Sequence, residues 1–245
     1  EALIAGGGVV GASLAAALAP LPLRIAMVKA IPFGSRGQPS YDERVTAVSL
    51  GSRRIFESIG LWSAIAPEAT AIRGIHISDR GRLGATRLHA DEAHLEALGY
   101  VVPNRVIGQA LSEFLPRQSN ISLIAPAKLA EFEEHDAGLT ATLEAEAQQR
   151  TLSTRLLVAA DGANSRIRER LGIAGRSWDY GQSAIICNVS VERPHPGVAF
   201  ERFTDAGPLA LLPMGEARYA LVWTGAQARL ESVLGLADQA FLSAS

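Results

Sequence analysis

The first apolar run is short and unbroken, residues 2–5, and it ends in Gly6-Gly7-Gly8. A run of that length closed by glycines predicts a buried parallel strand. Residues 9–19 are rich in Ala and Leu and predict a helix that stops ahead of Pro20 and Pro22. A second apolar run, residues 23–28, predicts a second strand. Together these make a strand–helix–strand unit within about thirty residues, the span such a motif needs.

Residues 34–44 are polar, with Gly, Pro and Ser, and predict a loop. Residues 50–59 predict an amphipathic helix with Gly60 as its stop. Residues 72–78 and 86–89 predict strands, and Asn104 is positioned to cap a helix running to Arg117. Strands follow at 121–124 and, as a hairpin around Asp136-Ala137-Gly138, at 128–135 and 139–146. An apolar strand at 155–160 leads to Asp161-Gly162, then a helix over 165–171 stopped by Gly172. From residue 183 the pattern turns to strands, at 183–191, 198–203, 209–212 and 219–223, and residues 236–245 begin a helical pattern. The expected fold class is α/β. A Rossmann-like nucleotide-binding domain spans 1–175, with inserted strands around 72–102, and a β-sheet-rich domain spans 176–245.

Composition narrows the function without naming it. The 245 residues are 48% apolar and 20% charged, which suits a globular chain with a sizeable core. The formal net charge of -2, with no basic run interleaved with aromatics, gives no case for nucleic acid. The single cysteine, Cys187, excludes an internal disulfide and a cysteine-based zinc site; it lies in an apolar run and suits a buried thiol better than a reactive one. No stretch reaches the ~18 apolar residues of a membrane span, and no basic segment precedes the first apolar run. A cytoplasmic protein is the expectation. Glu1 leads at once into a strand and the final helical pattern stops without a cap, so a C-terminal portion is expected to be missing.

Gly6-Gly7-Gly8-Val9-Val10-Gly11 fits G-x-G-x-x-G between a strand and a helix. Gly6 allows the tight turn, Gly8 lets backbone approach a pyrophosphate, and Gly11 lets helix and strand pack closely. The helix N-terminus then offers N–H groups to phosphate. A dinucleotide is the expected ligand. The second strand should end in Asp or Glu to accept from the ribose, but it ends in Lys29, which has no acceptor when charged. Lys29 is left either to meet a phosphate on the ribose or to be solvated.

Asp161-Gly162-Ala163-Asn164-Ser165-Arg166-Ile167-Arg168 matches D-G-x-x-S-x-x-R after an apolar strand. This resembles the DG motif of flavin-dependent aromatic hydroxylases. Tyr41-Asp42-Glu43-Arg44-Val45-Thr46-Ala47 resembles the loop whose arginine reaches the FAD pyrophosphate in that family; the plain alternative for Arg44 is an ion pair with Asp42 or Glu43. Asn104-Arg105-Val106-Ile107-Gly108-Gln109 resembles the flavin-facing helix, with Arg105 and Gln109 sharing a face at i, i+4. A solvated helix face is the alternative there.

With residues 98–105 (LGYVVPNR), 207–213 (GPLALLP) and 221–223 (LVW), these stretches resemble the group A flavoprotein monooxygenases over nearly the whole chain. Within that family the resemblance is to the ubiquinone-biosynthesis hydroxylase branch, of the 2-octaprenyl-6-methoxyphenol hydroxylase type. The resemblance implies FAD as cofactor, NAD(P)H as reductant and O2 as co-substrate. It also implies hydroxylation of the ring of a polyprenylated phenol. The cofactor-binding set it implies is Gly6, Gly8, Gly11, Arg44, Arg105, Gln109, Asp161, Gly162 and Arg168. Leu209, Leu211, Leu212 and Pro213 would meet the substrate, with ordinary strand core as the alternative. No side chain is expected as catalyst and no metal, because the flavin supplies the chemistry. His76, His89, His94, His135 and His195 show no ligand spacing. A lipid-tailed substrate implies contact with the periphery of the inner membrane or with a ubiquinone-biosynthesis complex. The family's later GD motif has no counterpart here, which leaves FAD retention by this stretch open. Two other classes stay in view: another enzyme of the same scaffold, such as a prenyl reductase or halogenase, and a non-catalytic flavin-binding or assembly module.

Overall fold

The structure is a computed structural model, and it describes residues 1–32, 44–145, 148–193, 197–215 and 217–236. In chain order its strands are β1 (Ala2–Ala5), β2 (Ile25–Val28), β3 (Val45–Ser49), β4 (Thr70–Ile72), β5 (Gly74–Asp79), β6 (Ala85–His89), β7 (Gly99–Pro103) and β8 (Ile121–Ile124). They continue with β9 (Lys128–His135), β10 (Gly138–Ala145), β11 (Gln148–Thr154), β12 (Leu156–Ala159), β13 (Gln182–Ser190), β14 (Val198–Phe203), β15 (Leu209–Met214) and β16 (Arg218–Ala226). The α-helices are α1 (Val9–Leu18), α2 (Leu50–Ser58), α3 (Trp62–Ile65), α4 (Asn104–Phe114), α5 (Arg166–Arg170) and α6 (Gln227–Leu234).

Contacts divide the chain into two units. The first holds Glu1–Asp42, Ser58–Ala64 and Asn104–Arg176; the second holds Glu43–Glu57, Ile65–Pro103 and Ser177–Ser245. Residues 43–57 and 65–103 therefore group with the second unit, a wider stretch than the insertion around 72–102 that hydrophobic pattern suggests.

In the first unit, four short apolar strands form a parallel sheet in the order β12-β1-β2-β8. Its central strands β1 and β2 are buried almost throughout, which is why they are continuous apolar runs rather than alternating ones, while the edge strand β12 is exposed at Leu156 and Ala159. Leu3 and Val28 pack with Ala141 and Leu143 of the antiparallel β11-β10-β9 sheet. Helix α1 packs on β1 and β2 and on α4; it buries Gly11, Ala12, Ala15 and Ala16, small residues that let the backbone come close. Asn120 closes the far end of the unit: its Nδ2 donates to the carbonyls of Ala19, Leu21 and Leu23 at 3.1, 3.1 and 3.0 Å.

In the second unit, six strands run in the order β13-β16-β15-β14-β5-β6, and three more in the order β3-β7-β4. The expected single strand over 72–78 is two strands. Arg73 separates them, and the N–H groups of Arg73 and Gly74 both donate to the Gly197 carbonyl, so the chain leaves one sheet for the other at that point. The expected helix over 104–117 is α4 followed by a 3-10 turn at Leu115–Arg117, where Pro116 enters. Strand β11 is unforeseen because it is polar and mostly exposed, held through its pairing with β10. Helix α6 is also unforeseen; it buries Leu230 and Val233 on the six-stranded sheet, with Ile185, Leu221 and Trp223. The helical pattern expected from residue 236 lies, beyond that residue, outside the described residues.

Candidate functional site

The carboxyl ends of β1 and β12 meet at the glycine turn. Gly6 N–H donates to Val28 O at 3.0 Å, and Ala160 N–H donates to Ala5 O at 2.8 Å. Gly6 has φ +114°, and a β-carbon on it would strike the Ala160 carbonyl, so glycine is required twice over. Gly8 is the N-cap of α1 and has no side chain to cap with; no acidic residue sits in the first turn. The first N–H groups of α1 thus lack intrahelical acceptors, as helix starts do, and form an anion site of the expected kind.

The DG segment faces this turn. Asp161 Oδ2 accepts from the backbone N–H groups of Arg166 at 3.0 Å and Ile167 at 3.4 Å. Ser165 Oγ accepts from Arg168 N–H at 3.0 Å. Two side chains therefore cap the start of α5, and the loop between them is drawn tight. Gly162 has φ +96°.

Between the two segments lies a cleft of about 490 Å³. Gly6, Gly8, Asp161 and Gly162 line it, with Lys29, Lys128, Asn164 and Arg166. Gly11 does not line it; it stands behind the turn, where a β-carbon would meet the Gly6 carbonyl. Arg168 does not line it either. Its Nη2 donates to Ala163 O at 2.7 Å, which fixes the loop from outside, while Arg166, two residues earlier, faces in. Arg166 and Lys128 were missed because their positions depend on where the loop and β9 lie, and no local pattern marks that.

Lys29 settles one open point. It is 3% exposed, so it is not solvated. Its stem lies across Gly7, where a β-carbon would come within 2.6 Å of Lys29 Cδ. Burial pushes its ammonium down to about 8.

The remaining sequence candidates fall elsewhere. Arg105 is half-buried on α4 and Gln109 is exposed, its Nε2 donating to Glu113 Oε1 at 2.9 Å; neither lines the cleft. Arg44 is exposed ahead of β3 in the second unit, and its neighbours Tyr41, Asp42 and Glu43 lie outside the described residues. Leu209, Leu211 and Pro213 pair with Trp223, Leu221 and Tyr219 and share one face of the sheet. Leu212 pairs with Ala220 on the opposite face and packs with Ile72, Val101 and Met214. The period-two alternation of a strand keeps these four residues from lining one pocket. Among the described residues there is no group of three or more His, Cys, Asp or Glu able to hold a metal ion, and no helix long and apolar enough to cross a membrane.

The donor set fits a pyrophosphate: an uncapped helix start, a turn with no room for side chains, and cations at its rim. Among the described residues it does not supply the usual carboxylate acceptor for the adenosine ribose at the end of β2, where Lys29 stands. A family model described as FAD binding domain matches residues 1–232. Ubiquinone hydroxylase UbiL of Rhodospirillum rubrum is 36% identical over 98% of this chain and 55% of its own length. The 3-demethoxyubiquinol 3-hydroxylase of Escherichia coli is 31% identical over 95% of this chain and 59% of its own. The chain thus spans a little over half the length of these relatives. Among solved structures, P. aeruginosa PqsL in complex with 2-aminobenzoylacetate superposes with a TM-score of 0.79 at 18% identity, covering 95% of this chain and 62% of that one. At that identity the likeness is one of fold.

Proposed function

Because this chain belongs to the FAD binding domain family, we propose that it is the FAD-binding part of a monooxygenase that hydroxylates the ring of a polyprenylated phenol in ubiquinone biosynthesis. The observation that carries the reading is the cleft joining the Gly6–Gly8 turn to Asp161-Gly162 on the carboxyl ends of β1 and β12. Ligands of open α/β sheets bind there. The relatedness to two ubiquinone-pathway hydroxylases supports the reaction class.

In this reading Gly6, Gly8 and the start of α1 hold the pyrophosphate. Gly11 keeps α1 close enough for its N–H groups to reach, and Asp161, Gly162 and Arg168 shape the opposing wall. Arg44, Arg105 and Gln109 are cofactor candidates on the resemblance alone. Leu209, Leu211 and Pro213 are the substrate candidates, since they share a face. When bound, FAD supplies the redox chemistry, with NAD(P)H as reductant and O2 as the oxygen source. A lipid-tailed substrate places the enzyme at a membrane periphery.

The test is to purify the full-length protein, record its visible spectrum, and assay NAD(P)H-dependent O2 uptake with a short-tailed prenylphenol. Flavin bands and a product heavier by one oxygen atom are expected. Bound flavin with no oxygen inserted into the ring would favour another activity of the same scaffold. Absence of flavin would overturn the reading.

A further inference from the structure

The cleft has two unlike walls. Gly6, Gly7 and Gly8 bring only backbone to one of them, while Asp161, Asn164 and Arg166 line the other, with Lys128 from β9 beside them. The charged residues of the cleft are not equally available to a ligand. Lys29 is buried along Gly7. Asp161 is engaged, its Oδ2 accepting from the N–H groups of Arg166 and Ile167 at 3.0 and 3.4 Å. Lys128 stands directly opposite Glu144 on β10, which offsets its charge, and it lines a second cavity as well. Arg166 differs from all three. Its backbone is held by Asp161, whereas its side chain is exposed and, among the described residues, its guanidinium has no hydrogen-bond or ionic partner. Arg168 is the reverse case. Its Nη2 donates to Ala163 O at 2.7 Å and its N–H donates to Ser165 Oγ at 3.0 Å, and it does not line the cleft.

We propose that Arg166 is the phosphate-binding arginine of this cleft, meeting the pyrophosphate of FAD from the wall opposite the glycine turn. Arg168, the arginine of the D-G-x-x-S-x-x-R pattern, is then a positioning residue that fixes the loop from which Arg166 projects. The inference rests on the reading of the cleft as the adenosine-diphosphate site. The start of α1 offers a pyrophosphate N–H groups and the partial charge of a helix end. A guanidinium adds a full charge and a planar fork that fits two phosphate oxygens at once. The Asp161 carboxylate makes no ion pair with it that a phosphate would have to displace.

The experiment is calorimetric titration of the full-length protein, freed of flavin, with FAD, ADP and adenosine, in the parent, Arg166→Gln, Arg166→Lys and Arg168→Gln. Arg166→Gln should weaken FAD and ADP by about tenfold, the scale of a charge-assisted bond to phosphate, and leave adenosine within about twofold of the parent. Arg166→Lys should recover part of the loss, since it restores the charge without the fork. Added salt should weaken ADP binding by the parent more than by Arg166→Gln, because screening acts on the exposed charge. Arg168→Gln should lower the urea midpoint and keep a preference for ADP over adenosine, while Arg166→Gln should leave the midpoint unchanged. A parent-like preference for ADP in Arg166→Gln, or its loss in Arg168→Gln alone, would overturn this inference and leave the FAD reading standing. So would flavin-loaded Arg166→Gln that binds FAD as the parent does but has lost NADH, since the arginine would then serve the reductant's pyrophosphate. Failure of the parent and every variant to bind FAD or ADP would overturn both.

Discussion

The α-carbon of Gly11 faces the carbonyl oxygen of Gly6 so closely that a β-carbon there would overlap it. The same β-carbon would also approach Ala160 Cβ at 3.1 Å. Neither obstacle is a flexible side-chain tip. Gly11→Ala should therefore push α1 away from β1 and move its N–H groups off the phosphate position. Overpacking of this kind costs about 1–3 kcal/mol. A lower urea midpoint together with weakened FAD or ADP binding is expected; unchanged values would mean that the turn adjusts.

The Asp161 carboxylate organises its own loop. Asp161→Ala removes the acceptor for Arg166 and Ile167 N–H, while Ser165 still caps Arg168 N–H. The loss should be about 0.5–2 kcal/mol, the range for a lost cap. Hydrogen exchange should accelerate at residues 166 and 167, and a change confined to distant amides would contradict this role.

Stability should depend on pH through Lys29. Its ammonium is pushed down to about 8 from 10.5 by burial. Between those values the unfolded chain binds more protons than the folded one, so this contribution to stability rises with pH across the window, and below pH 8 the penalty is fully present. Lys29→Met should accordingly be more stable than the parent at pH 7, with the gap narrowing toward pH 9.5. Urea midpoints at the two pH values measure it, and a gap that stays constant would refute it.

Asn120 joins the end of α1 to β2 with one amide. Asn120→Ala deprives the carbonyls of Ala19, Leu21 and Leu23 of their donor. A loss of about 1–3 kcal/mol is expected, the scale for unmade bonds at partly buried groups. Because the glycine turn hangs on β2 through the Gly6 N–H to Val28 O bond, nucleotide affinity should fall as well, which titration of Asn120→Ala would register.

Ser13 presents the opposite case. Its Oγ is buried in α1 with no hydrogen-bond partner among the described residues. Ser13→Ala removes that unmet group and places the best helix former there. A gain of about 0.5–2 kcal/mol in the denaturation midpoint is expected; a loss would show that the hydroxyl makes a contact in solution.

Sequence by itself determined the local parts of this protein. Continuous apolar runs marked β1, β2, β8 and β12, and the central pair β1 and β2, buried along its length, needs no polar alternation. The glycines at 6, 8 and 11 and the Asp161–Arg168 motif were legible because backbone geometry in a turn demands particular residue types, whatever surrounds them. Tertiary structure decided what depends on neighbours far along the chain. Polar β11 exists because β10 pairs with it. The split at Arg73 exists because Gly197 accepts there. Arg166 rather than Arg168 faces the cleft, and Leu212 lies on the opposite side of the sheet from Leu211. The buried position of Lys29 follows in the same way. A lysine after a strand reads equally as solvated or as a phosphate partner until the Gly7 backbone is seen to lie beneath its stem, and burial is a property of packing that no local pattern contains.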